Sequence, residues 1–511
     1  MKNLILFSLL LVCFSCKEKS KTEVVATKET KPNIILLYVD DLGYGDISSY
    51  GAKSIQTPNI DYLAANGVRF TDAHSATATC TPSRYALLTG NYAFRKKAAV
   101  LKGDAPLLID PNAITLPKML KKGGYNTAVV GKWHLGLGDG VVDWNTKVQP
   151  GPKEIGFDYS FLLPSTGDRV PSVYMENGSV LGLSKDDPIT VSYANKLEGD
   201  RPSGEDKPEL LRYTADAQHN KSIVNGVSRI GYMQGGKSAE WVDEDFPYVL
   251  TQKASDFIEK NKEEPFFLYY SFHDIHVPRL PNDNFKGKSG MGPRGDAILQ
   301  VDYVVGEIIK AIKKQGIIEN TLIVFTSDNG PVLNDGYLDE AVEKLGSHDP
   351  SGGYRGGKYS SYESGTRVPT IVYWPGKVKA TTSKALMSQV DFYSSFAALI
   401  GEKVSDEVLD SENHITSLLG EDQKGREYLL EESFTLGLRQ NQWKYIKPKE
   451  NTNSFDWITN DKKIEHGVQN QPQLYNLAED PKEQHNLAAK FPNRVQEMHD
   501  ALTAIENKSE H

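Results

Sequence analysis

Asn33-Ile34-Ile35-Leu36-Leu37-Tyr38-Val39-Asp40-Asp41-Leu42-Gly43 is the stretch that decides the fold class. From Ile34 to Val39 it is apolar without the alternation of a half-solvated strand, so both faces call for cover. It then breaks off in two aspartates and a glycine. Strands buried on both faces belong to parallel sheets between helices, and such sheets bind ligands beyond their carboxyl ends. Asp40 and Asp41 therefore stand where a ligand site is expected.

The same pattern recurs outward. Thr57 to Asp61 opens a short helix through Ala65, and Val68 to Phe70 is a strand. Pro82 suits a first helical turn, so Ser83 to Leu88 reads as helix with a stop at Gly90. Leu116 to Lys122 reads as helix and Tyr125 to Val130 as strand. Between Asp139 and Lys237 glycine, proline, aspartate and asparagine recur and periodicity fades. That stretch reads as surface insertions around a cleft, with a short strand at Ser172 to Met175. Alternation then returns: helix Tyr248 to Asn261, strand Phe266 to Phe272, helix Asp296 to Gln315 and strand Leu322 to Thr326. Strand Val368 to Tyr373 and helix Val390 to Leu399 follow. Beyond Gly401, Tyr428 to Glu432, Leu436 to Arg439 and Trp443 to Ile446 suggest a small antiparallel sheet, closed by a helix from Pro492 to Ile505. The expectation is α/β: a large, mixed, mostly parallel sheet flanked by helices over residues 32–400. A smaller C-terminal α+β domain with an antiparallel sheet takes 401–511.

Composition narrows the function. Of 511 residues, 39% are hydrophobic and 24% charged, which excludes a mainly disordered or fibrous chain. A net charge of -9 disfavours generic nucleic-acid binding while leaving room for a local basic pocket. Three cysteines argue against a disulfide scaffold. Lys2 followed by the apolar run Leu4 to Phe14 reads as a signal peptide, too short to span a bilayer. Ser15-Cys16 fits either a lipoprotein cleavage site or plain secretion. Residues 17–31 read as a polar tether. No later segment is apolar for long enough to span a membrane.

Several clusters carry chemistry. Asp40-Asp41 and Asp328-Asn329 both follow core strands and can converge as an oxygen-rich site for a hard divalent cation, or serve as caps and turns. Cys80-Thr81-Pro82-Ser83-Arg84 sets a thiol just ahead of a helix, with a guanidinium beside it. Both features favour anions, although a lone cysteine is most often a buried apolar group. Gly131-Lys132-Trp133-His134 and Phe272-His273-Asp274-Ile275-His276 each follow a strand. The histidines there can act as acid, base or ligand, or be surface loop residues. Tyr354-Arg355-Gly356-Gly357-Lys358 adds two cations on flexible glycines. Together these suit hydrolysis of a charged ester.

The run Cys80-Thr81-Pro82-Ser83-Arg84 with Leu88-Thr89-Gly90 resembles the modification motif of type I, formylglycine-dependent sulfatases. Asp40 to Gly45, Gly131 to Gly136, Asp328-Asn329-Gly330 and Gly357-Lys358 match other blocks of that family, in its order. Gln473 to Leu477 with Asp480-Pro481 also looks familial, so the resemblance spans nearly all of the body. It implies oxidation of Cys80 to formylglycine by a maturation enzyme. Calcium would be held by Asp40, Asp41, Asp328 and Asn329, with the modified Cys80 completing the shell. Arg84 matches the residue that holds the formylglycine hydrate, and Lys132 and Lys358 match the lysines on the sulfate. His276 matches the histidine at the leaving oxygen, and His134 the base that later breaks the enzyme-sulfate intermediate. The family often has a proline before the histidine at 276, where this chain has Asp274-Ile275.

The implied substrate is a sulfated mono-, oligo- or polysaccharide, with galactose-type 6-O-sulfate, including that of N-acetylgalactosamine, as one candidate. Asp168, Arg169, His219 and Arg355 are the candidate sugar contacts, or ordinary loop residues. The implied setting is an exported bacterial protein, periplasmic or lipid-anchored. A phosphoester or phosphonate hydrolase of the same superfamily is the nearest rival, separable by rates on matched sulfate and phosphate esters. A non-catalytic glycan-binding protein is the other, and retention of every reactive residue speaks against it.

Overall fold

The computed structural model describes residues 31–508. The signal and lipidation reading of Met1 to Cys16 and the tether through Thr30 lie outside the described residues. Residues 31–508 fall in one compact unit.

The core is a ten-stranded sheet. Its spatial order is Thr381–Ser383, Val68–Phe70, Thr370–Tyr373, Thr321–Ser327, Asn33–Val39, Phe266–Ser271, Asn126–Lys132, Tyr159–Leu163, Met175–Glu176 and Ser179–Val180. The five strands from Thr321–Ser327 to Tyr159–Leu163 run parallel. Asn33–Val39 lies at the centre of the sheet, wholly buried. Ile34, Leu36 and Tyr38 pack on one face with Leu116, Leu120, Phe392 and Phe396. Ile35, Leu37 and Val39 pack on the other with Phe257, Ile258, Val301, Val305 and Ile308. Each buried aliphatic side chain contributes roughly 1.5–3 kcal/mol, which is why an unbroken apolar run selects the middle of the sandwich.

Helix Gly292–Lys314 starts earlier than its apolar pattern predicts, because Pro293 fits a first turn whose missing N–H has no partner to lose. Cys80 is the first residue of helix Cys80–Thr89 rather than its predecessor, and Gly90 ends that helix at φ 68°. The expected strand Ser172 to Met175 is reduced to Met175–Glu176, paired as a hairpin with Ser179–Val180. Pro171 precedes the segment and cannot donate to a ladder. The stretch read as insertions does hold short two-stranded pairs, 190–192 with 232–234 and 223–224 with 227–228. It also hides a core strand, Tyr159–Leu163, hydrogen-bonded in parallel to Asn126–Lys132.

The smaller C-terminal domain carries a four-stranded antiparallel sheet ordered Leu429–Glu432, Leu436–Gln440, Trp443–Ile446 and Gln473–Asn476. Helix Pro492–Glu506 closes it through Met498 and Leu502, which share a core cluster with Leu430, Leu438, Tyr445 and Ala86.

Register places the chemistry. Val39 pairs with Ser327 and Tyr38 with Ser271, while Ser271 pairs with Gly131. The tips that follow Val39, Ser327, Ser271 and Lys132 therefore emerge side by side at one edge of the sheet.

Candidate active site

The strand ladder continues into the tips. Asp328 N–H donates to the Val39 carbonyl at 2.9 Å, and the Asp40 N–H donates to the Asp274 carbonyl at 3.1 Å. Asp41 sits at φ 60°, a left-handed turn that aspartate tolerates. These bonds bring Asp40, Asp41, Asp328 and Asn329 together, all fully buried.

Each carboxylate has a cation. The Lys132 ammonium binds Asp40, and the Lys358 ammonium donates to Asp41 at 2.9 Å. Arg84 grips Asp328 through Nη2 at 2.7 Å and Nε at 3.1 Å. Gly131 makes the Lys132 placement feasible: its φ is 113°, and a Cβ there would meet the Ser271 carbonyl at 1.8 Å. Burial, then repulsion from Asp328, pushes the Asp40 carboxyl well above the ordinary carboxylate range. Burial works the same way on Asp328, but Arg84, Lys132 and Lys358 together outweigh it and hold that carboxyl down.

Two oxygens in this cluster have no hydrogen-bond partner: Asp40 Oδ1 and Asn329 Oδ1. A buried orphan acceptor costs about 1–3 kcal/mol, and three carboxylates with one amide, two of whose oxygens are orphans, make a donor set that a hard, oxygen-seeking cation fits. Asp40, Asp41 and His276 also lie close enough together to share an ion. A second acid–histidine group, Asp72, His74 and Glu363, is already matched by Arg367, Arg439 and Lys444 and has no such need.

Cys80 lies at the floor of a cavity of about 470 Å³. Burial pushes its thiol up further than Lys132 and Lys358 pull it down, so the cysteine is no ready thiolate. His134 Nδ1 is 3.4 Å from Cys80 Sγ, and its Nε2 is 3.0 Å from the Leu101 carbonyl. A carbonyl only accepts, so Nε2 carries the proton and Nδ1 turns its lone pair to position 80. Burial, then Arg169 and Lys132, holds this imidazole neutral. By the same logic His276 donates from Nδ1 to the Val277 carbonyl at 2.7 Å, leaving Nε2 toward the site, 3.9 Å from Asp41. His273 is buried with both ring nitrogens unpartnered.

Asp168, Arg169 and His219 line the cavity. Arg169 Nη1 binds Asp168 at 2.7 Å, and His219 stands 3.4 Å from Asp168 and 2.7 Å from Asp216. Although burial opposes it, Arg169 and then His219 bring the Asp168 carboxyl down to about 2. Arg355 does not join them. Gly356, at φ 88°, reverses the chain so that Lys358 points inward, while Arg355 pairs with Glu465 over the Tyr362 ring in a separate surface pocket. The cavity also contains residues that motif reading passed over: Asp335, Tyr359, Phe434, Trp457 and Lys462. Asp335 sits in an Asn334-Asp335-Gly336 turn signal and Lys462 in a charged run, and both look like ordinary surface in sequence.

Comparison with known proteins agrees with this geometry. The sulfatase family profile matches residues 32–402. An N-acetylgalactosamine-6-O-sulfatase of Bacteroides thetaiotaomicron is 49% identical over 483 residues, 94% of each chain. Human arylsulfatase A is 32% identical over 407 residues, 78% of this chain and 70% of its own. A solved structure from Bacteroides thetaiotaomicron, concerned with metabolism of multiple glycosaminoglycans, superposes with a TM-score of 0.91 at 49% identity. It covers 94% of this chain and 100% of that one. The chain belongs to the sulfatase family, as a sulfuric ester hydrolase related to bacterial carbohydrate sulfatases.

Proposed function

We propose that this sulfatase removes the 6-O-sulfate of an N-acetylgalactosamine-type sugar, free or within a longer glycan, with Cys80 converted to formylglycine by a maturation enzyme. The observation that carries the substrate assignment is the 49% identity, along 94% of both chains, to a relative of that specificity. The site chemistry supports the reaction class.

A calcium ion fits the oxygens of Asp40, Asp41, Asp328 and Asn329, with residue 80, and when bound supplies positive charge against the sulfate oxygens. Residue 80, as the formylglycine hydrate, would supply the attacking hydroxyl. The chain's own groups do the rest. Lys132, Lys358 and Arg84 neutralise a substrate whose negative charge repels any nucleophile. Burial, then Lys358 and Lys132, holds His276 neutral in the free site. The substrate's negative charge offsets those lysines, so that Nε2 takes up a proton with the substrate and passes it to the departing sugar oxygen, which is strongly basic as an alkoxide. His134 Nδ1 takes a proton from the hydroxyl at position 80. Asp168, Arg169 and His219 present polar groups to the sugar within the cavity. The net reaction consumes water and yields the free hydroxyl and inorganic sulfate. The signal-like start of the chain supports export to the periplasm, with Cys16 as a lipid anchor point. Among the described residues no helix is long and apolar enough to cross a membrane.

The test is sulfate release by matured enzyme from a panel of defined sulfated sugars, with peptide mapping at residue 80. The expected order has 6-O-sulfated N-acetylgalactosamine first. Preference for 4-O- or N-sulfated sugars overturns the substrate assignment, and equal turnover by protein with unmodified Cys80 overturns the nucleophile.

A further inference from the structure

Of the six tryptophans, all among the described residues, Trp457 stands most open to solvent, at 37% exposure. Tryptophan is usually drawn well into a fold, and an exposed one beside a cavity asks for a ligand. Trp457 lines the same cavity as Cys80, Lys358 and His276. It meets Tyr359 edge-on with ring centroids 5.1 Å apart and Phe434 at 6.2 Å, while Tyr359 and Phe434 stack at 6.5 Å. Phe455 backs Phe434 at 4.9 Å. The result is a continuous aromatic surface contributed largely by the C-terminal domain.

Ion pairs brace this surface against the catalytic groups. Lys462 pairs with Asp335 at 3.0 Å, and Asp335 with Lys358 at 2.9 Å. The Asn334 side-chain amide donates to the Asp461 carbonyl at 3.1 Å. The aromatic wall and the sulfate end of the cavity are thus held in fixed relation.

Exposure rises along the wall. Lys358 is 1% exposed, Tyr359 is half-buried, and Trp457 is open. The Lys358 ammonium lies 5.3 Å from the Tyr359 centroid, so Tyr359 faces the sugar that carries the ester and Trp457 stands one ring further out. We propose that Trp457, supported by Tyr359 and Phe434, is a stacking subsite for the sugar residue adjoining the sulfated one, so that oligosaccharides are preferred over monosaccharides. This rests on the sulfated-sugar reading above. The polarised C–H face of a pyranose suits the negative face of an indole ring.

The experiment compares wild type with Trp457→Ala and Trp457→Phe, as matured full-length enzymes, on a 6-O-sulfated monosaccharide and the matching di- and trisaccharides. In Trp457→Ala the KM should rise about tenfold on the longer substrates, the size of one aromatic contact, and clearly less on the monosaccharide. Trp457→Phe should recover most of that loss. Equal losses at every length, or none, overturn the proposal. Intrinsic fluorescence with the unsulfated trisaccharide gives a readout without turnover: quenching in wild type that disappears in Trp457→Phe is expected, and identical quenching in both overturns it. Quenching at Trp457 in an enzyme that cleaves no sulfated sugar would defeat the functional reading and leave the subsite standing. Cleavage at all lengths with no dependence on Trp457 does the reverse.

Discussion

Replacing His276 with alanine tests the proton donation proposed for it apart from everything else in this site. The ring makes one hydrogen bond, from Nδ1 to the Val277 carbonyl at 2.7 Å, and its other nitrogen is 3.9 Å from Asp41, beyond hydrogen-bond range. Alanine therefore breaks one local bond, and the vacated space opens into the existing cavity rather than a sealed void. The stability cost should be about 1 kcal/mol. The chemical cost is larger. General acids contribute about 100- to 10,000-fold, which is roughly 3–5 kcal/mol of barrier. That full loss is expected on a 6-O-sulfated sugar, whose leaving alkoxide needs the proton. A nitrophenyl sulfate leaves as a weakly basic phenoxide, and its loss should stay below about tenfold. Steady-state kinetics of the variant on both esters, with thermal melting to confirm the fold, read the ratio directly. Equal losses on the two leaving groups refute the acid assignment. His273→Ala is the internal control: its ring centroid is 6.0 Å from that of His276, yet it should show no dependence on the leaving group.

Asp328→Ala should lower bound metal, measured by elemental mass spectrometry, together with turnover; full activity in rigorously metal-free wild type would remove the oxygen cluster from the mechanism. The same change strips Arg84 of the carboxylate oxygen that accepts from both its Nε and Nη2, so a stability loss of roughly 3–5 kcal/mol is expected alongside. Glu432, which burial pushes up to about 8, gives a pH prediction. Its folded pKa lies above the unfolded value, so its contribution is complete at acid pH and fades as pH rises toward 8. Glu432→Gln should accordingly lose less melting temperature than wild type between pH 5 and 9, and parallel curves would contradict this. Arg355→Ala should change turnover by less than about twofold, because Arg355 pairs with Glu465 outside the cavity; a large rise in KM would return it to the substrate contacts.

The parallel core was legible because its strands are apolar on both faces, and Asn33–Val39 and Leu116–Lys122 fall where pattern alone sets them. Tyr159–Leu163 escaped because it lies among glycine- and proline-rich loops, and only its pairing partner reveals that it is core. The acidic tips were legible for a related reason: two acidic pairs, each directly after a buried strand, can converge when those strands are parallel neighbours. The outer cavity was not. Asp335, Lys462 and Trp457 carry no motif, and their meaning comes from the contacts that residues far apart in the chain make across the cavity. Arg355 and Lys358 show the opposite failure, since two cations three positions apart look equivalent until the glycine turn sends them to different surfaces.

If Cys80 is matured as proposed, the burial of that position sets a clock on the protein's biogenesis. In the folded chain Cys80 is 1% exposed, every residue of its helix is buried, and Arg84 is clamped on Asp328. A maturation enzyme that must grip this segment and reach its thiol finds neither available once the sheet has closed. Oxidation of Cys80, as proposed above, would therefore have to compete with folding, and molecules that fold first would be trapped as stable but catalytically silent copies. On that proposal the active fraction of a preparation would report the relative speeds of those two processes, and adding maturation enzyme to purified, folded protein would not restore it.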